Sequence, residues 1–175
     1  VNVAKHSNSA VVRNAIIRAD GLVVAADSSE VQAVVSAASG YSDASIGVGG
    51  AVTVLVGSAK TLALVENNAD LTLGSGGLNI SAAVDATFEN EADGSAKGQG
   101  SSLGVGASIA VSVTGVDTLA WVEDGVAIKS LTPDGIGSVT IEANTAESSL
   151  VSAKAGSAGG ISVTPVLALG VSGAR

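Results

Sequence analysis

Apolar and polar residues alternate along much of this chain with the two-residue period of a β-strand. From position 78 to 89 one parity is apolar and the other mostly polar: Leu78, Ile80, Ala82, Val84, Ala86 and Phe88 against Asn79, Ser81, Ala83, Asp85, Thr87 and Glu89. Because successive side chains of a strand point to opposite faces, this pattern predicts a strand with one dry and one wet face. The segment 7–18 would also fit a short helix, but its match to a strand region downstream favours a strand.

The pattern itself repeats along the chain. The stretch 45–71 returns as 102–128, an offset of 57 residues, and a truncated third copy at 163–171 matches 105–113. A shorter cassette of the form apolar-x-Val/Ile-x-Ala occurs three times, at 21–26, 77–82 and 139–143. We therefore predict a single repeat domain over 1–175, made of a partial unit 1–44, a unit 45–101, a unit 102–158 and a truncated unit 159–175.

Each unit contains four strand candidates. In the first full unit these are about 47–56, 61–66, 69–73 and 78–90, and links such as 57–60 and 114–117 separate the first two. Stacking the units would align Val on Val and Ala on Ala. The prediction is an all-β fold, a β-solenoid built from repeats of about 57 residues with neighbouring coils ~4.8 Å apart. A unit this long suggests two shorter coils or one coil with a hairpin, and an intertwined trimeric β-roll is the alternative fold.

The alternation also predicts which side chains form the core. We expect the residues that keep their parity and character between copies to face inward and to stack in columns. These are Val54, Val56, Leu78, Ile80, Val111, Val113, Val139 and Ile141.

These units resemble a family of repeats in very large secreted bacterial proteins. The sequences GVGGAVTVLV with TLALVENNADLTL, and GVGASIAVSV with TLAWVEDGVAI, are similar to repeats of filamentous-haemagglutinin-like and leukotoxin-like adhesins. The resemblance covers nearly the whole chain and implies an extracellular shaft of β-solenoid type, secreted or at the cell surface. It carries over no catalytic or ligand-binding residue, because the shared positions are packing positions.

Composition narrows the function further. The net charge of −8 argues against nucleic acid, whose phosphates require clustered Lys and Arg. With no Cys there are no disulfides and no Cys-based zinc site. One Trp, one Tyr and one Phe leave the core to aliphatic residues. Apolar runs such as 103–113 are about half the length of a membrane span, so no span is predicted.

Few residues are candidates for chemistry. Asp85, Glu89 and Glu91 share the wet face of one strand with Asp93 just beyond, which makes them weak calcium candidates, although a solvated acidic face is the simpler interpretation. No other cofactor and no catalytic residue are predicted, since His6 is the single histidine and a Ser-His-Asp triad would have to use it. The motif at 47–49 begins like a dinucleotide fingerprint, but no third Gly or helix follows, and close strand packing explains it better.

The predicted function is structural. We expect the shaft of a bacterial surface adhesin, or a subunit of an extracellular filament, without catalysis. The expected partners are neighbouring copies or flanking repeats that pair head to tail, joining the 1–26 region of one unit to the 139–171 region of the next. The alternatives are an adhesin module that binds carbohydrate or a host surface and, less favoured because aromatics and Arg are scarce, a β-helix enzyme that degrades polysaccharides.

Overall fold

The computed structural model describes residues 1–39, 46–96, 103–157 and 160–175. Within those ranges no helix is long and apolar enough to cross a membrane. The strands among them are β1 Asn2–Val12, β2 Ile16–Ala38, β3 Ile46–Val65, β4 Asp70–Asp93, β5 Leu103–Val122, β6 Ala127–Ser130, β7 Val139–Lys154, β8 Ile161–Val163 and β9 Val166–Ala174. The all-β prediction is confirmed, and the segment 7–18 is not helical: it contains the end of β1, a turn at 13–15 and the start of β2.

The strands form two parallel sheets that face one another. In sheet A, β1 pairs with β3, β3 with β5, and both β8 and β9 lie on the far side of β5. In sheet B, β2 pairs with β4, and both β6 and β7 lie on the far side of β4. The chain therefore passes alternately through sheet A and sheet B, an arrangement compatible with a β-solenoid. Each full repeat passes once through each sheet, so the expectation of two shorter coils or a hairpin is wrong.

The strand register follows the sequence repeat. Strand β3 pairs with β5 without a break, from Ile46 opposite Leu103 to Val65 opposite Val122. This is the predicted offset of 57 residues. The cassettes at 21–26, 77–82 and 139–143 also lie side by side as predicted. Identical spacing in β3 and β5 aligns like residues without an insertion between these two strands, whereas the pairing of β2 with β4 shifts register between Ala19 and Gly21 and between Ser28 and Val31.

The predicted links inside each unit are wrong. Residues 57–60 and 114–117 continue β3 and β5, and the predicted strands at 69–73 and 78–90 belong to one strand, β4, which begins at Asp70. Gly57 does not mark a turn. A Cβ on Gly57 would lie 2.5 Å from Cε1 of Phe88, so the glycine makes room for that ring from the opposite sheet.

The turn from sheet A to sheet B repeats a left-handed residue. Asn14, Asn68 and Gly125 have φ values of 49°, 62° and 83° and occupy equivalent places in successive repeats. Asn and Gly tolerate this region better than other residues do. The Asn68 Nδ2 donates to Asn14 Oδ1 at 3.2 Å, so neighbouring turns are also bonded to one another.

The core between the sheets combines large side chains from sheet B with smaller ones from sheet A. Leu71, Leu78, Ile80 and Phe88 on sheet B are almost fully buried, which confirms the predicted dry face of β4. Facing them, sheet A contributes mostly small side chains such as Ala59. Small residues on one wall let the sheets approach closely enough to bury the larger residues of the other.

The predicted core is wrong for half of its members. Val54, Val56, Val111 and Val113 stack in columns but lie on the outward side of sheet A. The inward parity of β3 and β5 holds Gly, Ala, Ser, Thr and a few larger residues instead. The columns of Leu78 with Val139 and of Ile80 with Ile141 are confirmed. Only their β4 members are fully buried, because Val139 and Ile141 lie at the edge of sheet B and are about half exposed.

Polar side chains occupy part of the interior, which the sequence pattern did not indicate. The Thr61 Oγ1 donates to Ser28 Oγ at 2.7 Å between the sheets. The Asn90 Nδ2 donates to the Val111 carbonyl oxygen at 2.7 Å. Such bonds offset the cost of burying polar groups and tie one sheet to the other.

Candidate functional site

The most distinctive surface of this protein is the outer side of sheet A. We call its apolar side chains on β3, β5 and β9 the aliphatic face: Val48, Val52, Val54 and Val56; Val105, Ile109, Val111 and Val113; Leu167, Leu169 and Val171. Val48 is 69% exposed and Val52 is 64% exposed. A contiguous exposed apolar surface of this kind is typical of an interaction site.

The parallel register builds this face from rows of equivalent residues. Val52, Ile109 and Leu167 form one row across the three strands, and Val54, Val111 and Leu169 form the next. Between the row of Val52 and the preceding row of Val48 and Val105, Gly50 and Ala107 leave a low strip. β-branched residues keep their rotamers on a pleated surface, so the rows are stiff and regular.

The outer side of sheet B is acidic instead. Asp85, Glu89 and Glu91 are exposed there, and Glu91 pairs with Lys154 Nζ at 2.5 Å. Asp93 accepts a hydrogen bond from the Ser95 backbone N–H at 3.0 Å. Within the described ranges no group of three or more His, Cys, Asp or Glu side chains is placed to hold a metal ion. The calcium site at these four carboxylates stays a prediction.

Ion pairs connect neighbouring repeats. Arg13 pairs with Glu66 across the sheet A to sheet B turn, and Lys129 Nζ lies 2.6 Å from Asp70 Oδ2. The Asn67 backbone N–H donates to Glu123 Oε2 at 3.0 Å one repeat further on. These contacts are exposed and contribute little energy each, but they favour the correct repeat neighbour.

One of these pairs gives a titration prediction. The hydrogen bond from Arg13 lowers the pKa of Glu66 below its ordinary value. A carboxyl group whose pKa is lower in the folded state than in the unfolded state stabilises the protein at pH values above the unfolded-state pKa. This stabilisation is lost as the pH falls through the folded-state pKa. We expect Arg13→Gln to raise the Glu66 pKa, observed by NMR of its carboxyl carbon, while Arg18→Gln leaves it unchanged. The same Glu66 midpoint in both variants would contradict this.

The only histidine makes a defined contact. His6 Nε2 lies 3.2 Å from Ser28 Oγ, which is buried and also accepts from Thr61. A cleft of about 530 Å³ lies beside them between β1 and β2, lined in part by Lys5 and Glu30. In the part of the chain that the structure describes, His6 has no carboxylate partner, so no Ser-His-Asp triad is assembled there.

The second glycine of each Gly-Val-Gly motif serves close strand packing. A Cβ on Gly106 would lie 2.6 Å from the Gly156 carbonyl oxygen, and one on Gly49 would lie 2.8 Å from the Ser95 carbonyl oxygen. Both motifs lie inside strands, β3 and β5, and no helix follows either. This confirms the interpretation as close packing of the backbone rather than a dinucleotide fingerprint.

The sequence pattern located the acidic residues of sheet B but placed the valines of the aliphatic face in the core. The sequence did contain a signal for the outward direction of these valines, because every second residue of 47–51 and 57–59 is Gly or Ala and small residues suit the narrow space between the sheets. No protein-family model, curated protein or solved structure matches this chain, so no residue role comes to it from a relative.

Proposed function

We propose that this chain is a structural module of β-solenoid type, from the shaft of a secreted bacterial adhesin or an extracellular filament, and that it acts by stacking of repeats rather than by catalysis. The observation that carries the proposal is the unbroken parallel pairing of β3 with β5 over their whole length. Such pairing can continue through further repeats without changing its geometry. The resemblance of the repeats to secreted adhesins supports the extracellular setting.

The edges of the two sheets support elongation. Among the described strands, β1 and β2 lie at one edge, whereas β9 and β7 lie at the opposite edge. An edge strand presents N–H and C=O groups that a further strand can bond. Joining β9 of one unit to β1 of the next, and β7 to β2, would repeat the contact seen inside the chain. A head-to-tail contact of this kind propagates instead of closing.

The geometry of β1 shows how to test elongation without damaging the fold. The Val12 carbonyl oxygen accepts from the N–H of Glu66, the residue that follows β3, at 2.9 Å. Because backbone groups alternate in direction along a strand, those of even-numbered residues in β1 point to β3, and those of odd-numbered residues point to the free edge. Ser7 is exposed and belongs to the second set.

We expect Ser7→Pro to stop head-to-tail assembly and leave the monomer folded. Proline removes one free-edge N–H and no bond of the β1–β3 ladder, and proline is tolerated on such an edge. Light scattering and electron microscopy of the purified chain would measure assembly. The wild-type chain should give rods or fibres, and Ser7→Pro should give discrete particles that do not elongate, with an unchanged thermal midpoint.

The matched control is Ser7→Thr, which keeps the N–H and should assemble like the wild-type chain. Ser172→Pro applies the same test at the opposite edge of sheet A. The backbone N–H and C=O of Arg175 bond to β5, so the backbone groups of even-numbered residues in β9 point to the free edge. Assembly that persists in both proline variants, or a wild-type chain that stays monomeric at every concentration, would contradict head-to-tail pairing.

A further inference from the structure

We propose that the aliphatic face binds the aliphatic face of a second copy of this chain, so that two copies associate side by side through sheet A. This lateral contact is separate from the pairing of sheet edges proposed above. It uses side chains on the outer side of a sheet rather than backbone groups at its ends.

The outer side of sheet A is large enough for a stable interface between two copies. The outward side of β3 and β5 is about 65 Å long at ~3.3 Å per residue, and a width of three strands at ~4.8 Å each makes it about 14 Å wide. The third strand is β1 along one part and β9 along the other. The resulting footprint of roughly 900 Å² per copy is close to the ~800 Å² per partner of a stable interface.

The order of apolar and polar residues along the outer side of sheet A also fits a second copy. Beyond Val56 a short band holds Lys60 and Asp117, which lie opposite each other in the register and balance in charge. The apolar surface then continues with Leu119 and Trp121, which are 44% and 53% exposed. A partner that matches this face must be apolar over two stretches separated by a polar band. A second copy has that pattern.

The distribution of charge also favours contact through sheet A. The chain has a net charge of −8, so two copies repel each other unless they meet where acidic residues are few. The outer side of sheet B holds Asp85, Glu89 and Glu91, so two copies would repel each other there. The outer side of sheet A has Asp117 beside Lys60 and no acidic residue on its aliphatic face. Lateral association is therefore favoured through sheet A.

The shape of the face suits packing against another sheet. Rows of Val and Ile stand beside the low strip at Gly50 and Ala107. Two such sheets packed about 10 Å apart can interdigitate their rows, as in a β-sandwich. A two-fold axis would make the contact self-complementary and would close it at two copies.

The test uses a chain in which end pairing is blocked by Ser172→Pro, because Ser172 lies opposite the inward-facing Thr114 and not on the outer side of sheet A. In that background Val52→Lys and Val54→Lys together place two charges in the aliphatic face. Sedimentation equilibrium should give a dimer without the lysines and at least a tenfold weaker dimer with them. Trp121 fluorescence should shift to the blue on dimerisation, since this is the single Trp of the chain and it lies on the same side of sheet A.

The matched control is Asn79→Lys with Ser81→Lys, which puts the same charges at the same spacing on the outer side of sheet B. This variant should dimerise like its parent. If the Val52 and Val54 lysine variant does not fold, as judged by circular dichroism, Val52→Thr with Val54→Thr tests the same face with side chains of similar shape. A second probe is Val54→Cys, which in this cysteine-free chain should be cross-linked into a dimer by a bismaleimide, whereas Asn79→Cys should not.

Equal dimer strength in the lysine variant and the parent would overturn the proposal, as would a parent that is monomeric at millimolar concentration. Binding of the parent to phosphatidylcholine vesicles without self-association would assign the face to lipid and would also overturn it. Failure of the end-pairing tests leaves these outcomes readable, because Ser172 lies opposite the inward-facing Thr114, whereas Val52 and Val54 lie on the outer side of sheet A.

Discussion

Replacing Ile80 with Asp should unfold the protein or bring it close to unfolding. Ile80 is fully buried in the cluster that joins the two sheets, with Leu71 and Leu78 beside it. The substitution removes a large apolar side chain, which costs about 2–5 kcal/mol, and buries a carboxylate without a partner. Total stabilities of domains are about 5–15 kcal/mol. Urea unfolding followed by circular dichroism would measure the loss.

Asn79→Asp is the matched control, because Asn79 precedes Ile80 on the same strand and faces outward. Its neighbours across the sheet are Val23 and Thr140, so the new charge meets no other carboxylate directly opposite. We expect a change within about 0.5 kcal/mol. Equal destabilisation by the two substitutions would show that Ile80 does not face the core.

The sequence repeat predicted the register of the sheets because parallel pairing places equivalent residues side by side. Once 45–71 and 102–128 are aligned by sequence, the β3–β5 pairing follows residue by residue. The same reasoning found the strand that β9 forms beside β5, where Val113 lies opposite Val171. The repeat did not show that each unit passes through two sheets, because one offset describes either arrangement.

The direction in which each strand faces was predictable only where charge marked one side. In β4 the carboxylates Asp85 and Glu89 identify the outer side, and the prediction is confirmed. From 46 to 59 in β3 neither parity contains a charge, and valine alternates with Gly, Ala and Thr. Hydropathy favours burying valine, but the size of a side chain decides whether it fits between the two sheets. The ring of Phe88 needs the glycine at position 57 across from it.

For the same reason the aliphatic face was missed. An exposed apolar face is recognised as functional because it breaks the rule that apolar residues are buried. Applied to the sequence alone, that rule placed Val54 and Val111 in the core, so no exposed face was predicted. The acidic side of sheet B, in contrast, was found from three alternating carboxylates. Knowing the opposing sheet was necessary to see that the larger residues of β3 point away from the core.

The contact of Phe88 with Gly57 gives a double-mutant test of how the sheets face each other. Phe88 is 1% exposed, and Phe88→Ala should cost about 3–5 kcal/mol through the cavity that it leaves. Gly57→Ala alone should cost about 1–3 kcal/mol, because the new Cβ would lie 2.5 Å from the ring. With both changes the methyl group enters space that the ring has left.

The two effects should therefore not add. We expect the double variant to be at least 1 kcal/mol more stable than the sum of the single variants predicts, since the residues are in direct contact. Gly50→Ala is the matched control for the glycine, because a Cβ there meets no atom within 4 Å. It should change stability little and should add to Phe88→Ala within about 0.5 kcal/mol. Additive effects at Gly57 as well would mean that Phe88 does not lie over this part of β3, and that the parity which turns Val54 and Val56 outward is wrong.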